Sequence, residues 1–393
     1  MTHACDIIVV GAGLVGLSAA VAFSQLGKSV VLVDAKKDEI KKTNTWDSRI
    51  YALTPATENW LRALGVWQHV DTARVNEIHA MHLWSDSSKS PLSLADSDAN
   101  IEKLGVIVES VNLMQALQAT NIQINGHAAY GMVVKYATCK SIENTAQAIC
   151  LTLDDGAQIS AKLLVAADGA NSFVRKQMNI ATKSKPLHQT AIVANFSSEK
   201  SHQNIAHQWF GVHETMALLP LVGKNVSLVW SLSTEMAHQL LLLDKAALAA
   251  RVGEKSKQML GDLRLEGEVL SFALNQATAT QLIAERVVMI GDAAHQIHPM
   301  AGQGVNLGFR DVIAVQDLLA KTHAMQDIGE YVFLREYERG RKADIMRING
   351  LTSGLDALFA SEYEILKKLT NFGMRTLNKR DSIKKVLIKQ AVA

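Results

Sequence analysis

A chain of 393 residues is long for a single core, so two interlocked domains are its default organisation. Hydrophobic residues make up 48% and charged residues 20%, which excludes a disordered chain, and a net charge of +2 gives no general case for nucleic-acid binding. The charge is unevenly placed: residues 367–393 hold eight Lys or Arg against one Asp, a net of +7 that leaves −5 for the other 366 residues.

The first element is the β-branched run Ile7 to Val10, read as a buried parallel strand. Gly11, Gly13 and Gly16 follow as G-x-G-x-x-G, and apolar residues recur at helical spacing from Leu14 to Leu26. Gly27 ends that helix, and Ser29 to Val33 form a second strand closing on Asp34. Each position has a physical task. Gly11 permits the tight turn, Gly13 lets a pyrophosphate approach the backbone, and Gly16 lets helix and strand pack closely. The helix start offers free N–H groups to the phosphates, and Asp34 can accept from ribose hydroxyls. A dinucleotide site is expected here, and the motif by itself leaves FAD and NAD(P) open.

Further along, AIVANF, MALLPL, VSLVWSL and EVLSFAL alternate apolar and polar positions between residues 181 and 275, which predicts an antiparallel sheet capping the cofactor and forming the substrate cavity. Trp209, Trp230 and Gln208 either line that cavity or belong to the sheet core. Arg286 to Asp292 reads as a strand delivering Gly291 and Asp292 to its end, followed by a loop and a glycine-rich helix start from Gly302 to Asn306. A flavin needs an acceptor for its ribityl hydroxyls, which Asp292 offers. It also gains negative charge at its pyrimidine end on reduction, which suits a helix N-terminus at Gly304, Val305 and Asn306. His295 and His298 lie three apart without Cys or Glu partners on the same segment, so no metal is expected. From residue 326 onward the chain reads as mainly helical.

The domains expected are therefore a discontinuous FAD-binding domain (1–75, 100–180 and 280–325), a substrate-cavity β domain (76–99 and 181–279) and C-terminal helices (326–393). Cys5, Cys139 and Cys150 show no paired spacing, so neither a disulfide framework nor a redox-active pair is expected. No apolar run approaches the ~20 residues of a transmembrane helix, and the opening residues show no charged n-region followed by an apolar h-region, so no secretory leader is expected. A cytoplasmic protein is expected. Its basic tail is either a solvated helix or a contact with an anionic surface at the inner face of the membrane.

Several stretches carry a resemblance. GDAAHQIHPMAGQGVNLGFRD (residues 291–311) resembles the second flavin-binding motif of the aromatic hydroxylases, the group A flavoprotein monooxygenases. LLVAADGANSFVR (Leu163 to Arg175) resembles their middle motif, in which Asp168, Gly169 and Arg175 lie close to the cofactor. SRIYALTPATENWLRALGVW (Ser48 to Trp67) resembles the segment that brings an arginine, here Arg49, to the flavin side. RIYAL, GVIVESVNLMQAL, ALLPL, SLVWS and LREYERGRKADIMRINGLTSGLDALF resemble the flavin hydroxylases of ubiquinone biosynthesis. The resemblance covers nearly the whole chain in motif order. Departures are Asp34 where the family often has Glu, Val111 where a basic residue is common, and little match over residues 85–100 and 130–145.

The resemblance implies an α/β fold: a Rossmann-like FAD-binding domain interleaved with an antiparallel-sheet substrate domain and a helical C-terminal region. It implies FAD as cofactor, NAD(P)H as transient electron donor, and transfer of one oxygen atom from O2 to the ring of a polyprenylated phenol. The expected cofactor residues are Gly11, Gly13, Gly16, Asp34, Arg49, Asp168, Asp292, Gly302, Gly304, Val305 and Asn306. His298, Pro299 and Gly304 are the expected flavin and oxygen environment, and no residue stands out as a base for the phenol. Other quinone-synthesis proteins and a second copy of the chain are compatible partners. Two other readings stand beside this one: a hydroxylase of a soluble aromatic compound, and a flavin-bound subunit of a quinone-synthesis complex with little turnover of its own. A flavin halogenase would carry G-x-W-x-W-x-I-P, which this chain lacks, and no second G-x-G-x-x-G supplies a separate nicotinamide domain.

Overall fold

The computed structural model describes residues 2–36, 45–85, 88, 90–127, 132–297, 303–323, 325–359, 373–374 and 376–392. Three sheets organise them. In the first, Val287–Met289, Gln158–Ala166, Thr2–Val10, Val30–Asp34 and Met132–Tyr136 lie side by side and parallel. Covered on both faces, these strands read as near-continuous apolar runs: Ile7, Ile8, Val9, Leu163, Leu164 and Val165 are all 0% exposed. The opening strand starts at Thr2, earlier than its apolar run suggests, because residues 2–5 pair with 158–161.

Register decides where the loops emerge. Val10 pairs with Val33 and with Ala166, and Ala166 pairs with Met289. Gly11, Asp34, Asp168 and Asp292 therefore leave the sheet at one edge, the carboxyl ends of the strands, where open α/β sheets bind ligands. The helix Leu14–Gln25 packs over this sheet against the helix Gln303–Ala320. The approach is close: a Cβ on Gly308 would stand 2.7 Å from the Val15 side chain.

The second sheet has eight strands, with Leu263–Ala279, Thr182–Ser198, Asn225–Ser233, Glu214–Pro220 and Ile205–Gly211 at its centre. All but one of its pairings are antiparallel; Ile205–Gly211 runs parallel to Ala80–Ser85. The antiparallel sheet expected across residues 181–275 is present. Its rear face is a dry core under the helices Thr234–Leu241 and Lys245–Lys255, where Ile192, Leu218 and Leu228 are 0% exposed. Trp209 and Trp230 belong to this rear core, so the cavity-lining alternative for them is set aside.

A third, three-stranded sheet (Ile50–Leu53, Gly105–Glu109, Asn76–Ile78) lies between the other two. The segment after Asp292 is more ordered than the expected plain loop: His295–Gln296 pairs with Ala277 and Thr278, joining the parallel sheet's edge to the second sheet. Beyond residue 326, the described chain forms the helices Tyr331–Phe359 and Asp381–Val392. Among the described residues, no helix is long and apolar enough to cross a membrane, and no three metal-ligating side chains gather.

Candidate active site

The glycine turn is built by close approach. A Cβ on Gly16 would fall 1.8 Å from the Gly11 carbonyl oxygen, and one on Gly11 would fall 2.3 Å from the Ala167 oxygen. Gly11 also sits at φ 104, a conformation that favours glycine. Gly13 differs: a Cβ there would meet nothing within 4 Å. It caps Leu14–Gln25 without a side-chain hydrogen bond, and the first turn holds no acidic residue, so the helix N–H groups face that open space unpaired by side chains.

Asp34 reaches back under the turn. Its Oδ2 accepts from the Ala12 N–H (2.6 Å) and its Oδ1 from the Lys36 N–H (2.9 Å), leaving further lone pairs on the carboxylate. Asp168 accepts from the Val174 N–H through Oδ2 (3.1 Å), while its buried Oδ1 has no partner. Arg175 braces the motifs to each other, donating to the Ala170 carbonyl (2.6 Å) and to the Ala293 carbonyl (2.9 Å).

Asp292 follows Gly291, whose φ of 58 turns the chain out of the sheet. Its side chain is accessible, yet protein on the surrounding sides pushes its carboxyl above the usual range, with His295 opposing the shift. Behind it sits Asp311, fully buried, which accepts from the Gly291 N–H (2.8 Å), from Arg341 Nε (2.7 Å) and from His295 Nε2 (2.6 Å). Burial alone would raise the Asp311 carboxyl; His295, Arg341 and the Gly291 amide together outweigh it and hold it low. The Tyr337 hydroxyl adds a bond to the Met289 carbonyl (2.8 Å). This hub aims the loop that carries Asp292.

The glycine-rich helix starts at Gln303. Gly304 is exposed, with nothing within 4 Å of its would-be Cβ, and Val305 is half-buried. The Asn306 side chain is turned to the three-stranded sheet, donating to the Ala52 carbonyl (2.8 Å) and accepting from the Thr54 N–H (3.1 Å). What Asn306 can offer a ligand is its backbone. His298, Pro299 and Gly302 lie outside the described residues.

Arg49 is exposed, its guanidinium 5.6 Å from the Phe272 ring centre on the second sheet. Sequence reading passed over Tyr51, two residues on. Burial raises its hydroxyl's pKa; a hydrogen bond from Ser110 and the Arg49 charge oppose that, and the Asp292 charge adds to it. Asp311 was equally hidden, because its partners come from residues 291, 295 and 341 and no local pattern links them.

These features fit FAD. An open space over Gly13 suits a pyrophosphate, Asp34 a ribose, Asp292 a ribityl chain, and the exposed turn at Gly304 the flavin's pyrimidine end. A strand–turn–helix cradle sharing one sheet edge with two further ligand-facing loops, under a second antiparallel sheet, defines a flavoprotein of the two-sheet type. The chain belongs to the FAD binding domain family, whose pattern matches residues 4–349, and it binds FAD.

Similarity to individual proteins extends over the full chain. It is 29% identical to the ubiquinone hydroxylase UbiL of Rhodospirillum rubrum, over 98% of this chain and 89% of the relative. It is 29% identical to the 3-demethoxyubiquinol 3-hydroxylase of Escherichia coli, with 98% of each covered. Human ubiquinone biosynthesis monooxygenase COQ6 is 28% identical, over 98% of this chain and 91% of that protein. Among solved structures, p-nitrophenol 4-monooxygenase PnpA of Pseudomonas putida superposes with a TM-score of 0.79 at 15% identity, covering 99% of this chain and 98% of that one. HpxO of Klebsiella pneumoniae, crystallised as a variant with FAD, gives 0.76 at 16% identity with the same coverage. At those identities the structures establish the fold alone.

Proposed function

We propose that this chain is an FAD-dependent monooxygenase that adds one oxygen atom from O2 to the ring of a polyprenylated phenol in ubiquinone biosynthesis. The observation that carries the reading is the meeting of the three cofactor loops at one sheet edge, facing an apolar sheet across the segment 47–54. The names of the full-length relatives supply the substrate class.

In this reading Gly11, Gly13 and Gly16 and the following helix hold the pyrophosphate, Asp34 the adenosine ribose, and Asp292 the ribityl chain. Asp168 completes the middle loop, and Gly304, Val305 and Asn306 present backbone N–H groups to the flavin's pyrimidine edge, with Gly302 outside the described residues. Arg49 borders the ring side, and the oxygen-side role that the resemblance implies for His298 and Pro299 falls on residues outside those described. FAD, when bound and reduced by NAD(P)H or another donor, supplies the oxygen activation and transfer. The protein orients the ring and excludes water. The parallel sheet with its helices serves as the discontinuous FAD domain (1–75, 100–180, 280–325), and the eight-stranded sheet forms the cavity domain.

A lipid-like substrate places the enzyme near a membrane. The helix Asp381–Val392 is docked by its inner face, with Ile388 2% exposed and Lys384 paired to Asp98 (2.7 Å). Its outer face shows Ile383 and Val386, 43% and 54% exposed, beside exposed Lys385 and Lys389. That combination suits anionic headgroups.

Deleting the gene and measuring the cell's quinone lipids by mass spectrometry tests the function. An accumulated polyprenylphenol lacking one hydroxyl is the expected result and names the ring carbon. An unchanged quinone profile in the deletion strain, together with turnover of small phenols by the purified enzyme, would transfer the reading to soluble aromatics.

A further inference from the structure

The front face of the eight-stranded sheet, opposite its dry rear core, can be read from the pairing. Val193 lies opposite Val229, Val229 opposite Ala217, Ala217 opposite Gln208, and Gln208 opposite Leu83, so these five side chains cross the sheet in one row. The rows on either side share that face. This face turns toward the cofactor loops on two counts. Asn195, in the neighbouring row, donates to the Asp47 carbonyl (3.0 Å), and Phe272, in the other, lies under Arg49. Asn306 ties the same segment to the glycine-rich helix start through Ala52 and Thr54.

Accessibility separates the two faces. Rear-face Met216 and Leu218 are 0% exposed, whereas front-face Val193, Ala217 and Val229 are half-buried, so open space lies in front of them. In this apolar row Gln208 is the one polar side chain. It is 4% exposed, and among the described residues its carboxamide has no hydrogen-bond partner. The orphan Asn195 Oδ1 and Ser227 Oγ one row away are sealed from the open space, and the Gln208 polar atoms are not among those sealed. An amide that bonds nothing in the protein and meets open space from an otherwise apolar row is placed for another molecule to complete it.

We propose that Gln208 binds the phenolic oxygen of the substrate, its Oε1 accepting from the phenol O–H. The inference rests on the hydroxylase reading and adds the residue that recognises the ring. The row of Gln208, from Leu83 across to Leu270, carries no ionisable side chain, and Glu266, opposite Asn195 in the next row, accepts from Ser197 Oγ (2.8 Å), so this row offers the phenol a hydrogen bond and no base. A carboxamide cannot take the proton; accepting a hydrogen bond from the O–H pushes electron density into the ring and fixes which carbon faces the flavin.

The test uses FAD-loaded wild type, Gln208→Leu and Gln208→Met with two probes: a phenol bearing a short prenyl chain, and the same ring without its hydroxyl. Affinity is read from the change in flavin absorbance. Wild type should prefer the phenol by about tenfold. Both variants should bind the two probes within about twofold of each other, bind the hydroxyl-free ring as wild type does, and divert NAD(P)H electrons to H2O2. Because the carboxamide bonds nothing among the described residues, their Tm should stay within about 2 °C of that of wild type. Variants that keep the preference, or that lose both probes equally, overturn the assignment and leave the hydroxylase reading standing. A wild-type enzyme that binds neither probe removes that reading and this inference with it.

Discussion

Gly13 and Gly16 look equivalent in G-x-G-x-x-G, and the structure separates them. Gly16→Ala forces a Cβ into the Gly11 carbonyl, so it should cost the apoprotein about 2–4 kcal/mol in denaturant melts. Gly13→Val meets open space, with φ −70 and ψ −178 open to β-branched residues, so the apoprotein should melt within about 0.5 kcal/mol of wild type. It should nonetheless lose FAD affinity by tenfold or more, because the valine occupies the pyrophosphate path. Asp292→Ala should strip the flavin as well, since it deletes the accessible carboxylate of the cleft. A purified variant as yellow as wild type would refute that placement. The glycine turn was legible because its strand, turn and helix signals are local. The Asn306 side chain was not: its partners at Ala52 and Thr54 lie some 250 positions away in sequence.

Elements carry their own predictions. Asp311 joins the helix Gln303–Ala320 to the turn at Gly291 and to Arg341 on the helix Tyr331–Phe359, all out of water. Asp311→Asn leaves His295 without its anion and Arg341 with Asp344 alone, and should cost about 3 kcal/mol in urea melts, weakening FAD binding as the Asp292 loop relaxes. In the second sheet, His207 packs edge-on to His82 and stacked on Trp209, with ring centres 5.2 and 5.7 Å away. Burial first, then the His82 and His202 charges, pull its pKa down to about 4. The unfolded chain therefore takes up a proton that the folded sheet refuses. The stability this site gives is complete above pH 6.5 and falls away as the pH drops toward 4, by about 3 kcal/mol. His207→Leu should flatten that part of the stability–pH curve. Strand alternation revealed the sheet from sequence, yet alternation cannot say which face meets the flavin loops. That depends on long-range contacts such as Asn195 with Asp47, and Trp209 and Trp230 fell on the far side.

At the scale of the molecule, the basic C-terminus is a docked helix whose charge is divided between the body and solvent. Lys384 is committed to Asp98, and Asn378 clamps the strand Leu92–Ala95 through the Ser93 N–H (3.0 Å) and the Pro91 carbonyl (2.7 Å). Removing residues 373–393 would therefore disturb the sheet as well as any lipid contact. Lys385→Glu with Lys389→Glu is the cleaner change: it should lower binding to anionic phosphatidylserine vesicles at least tenfold while Tm and FAD content hold. Undiminished vesicle binding by that double variant would rule out the helix as the contact. The helical end was legible from composition, but its docking surface was not, because the partners at residues 91–98 lie in a stretch with no clear motif.

The parallel sheet draws its neighbouring strands from residues 2–10 and 158–166 and adds a further one from 287–289. The hub that aims Asp292 needs Asp311 and Arg341. A ribosome delivers these pieces in order, so a nascent chain displays its finished glycine turn long before the rest of the cleft exists. Flavin capture is therefore a late event in biosynthesis, and cells short of FAD should accumulate the full-length apoprotein.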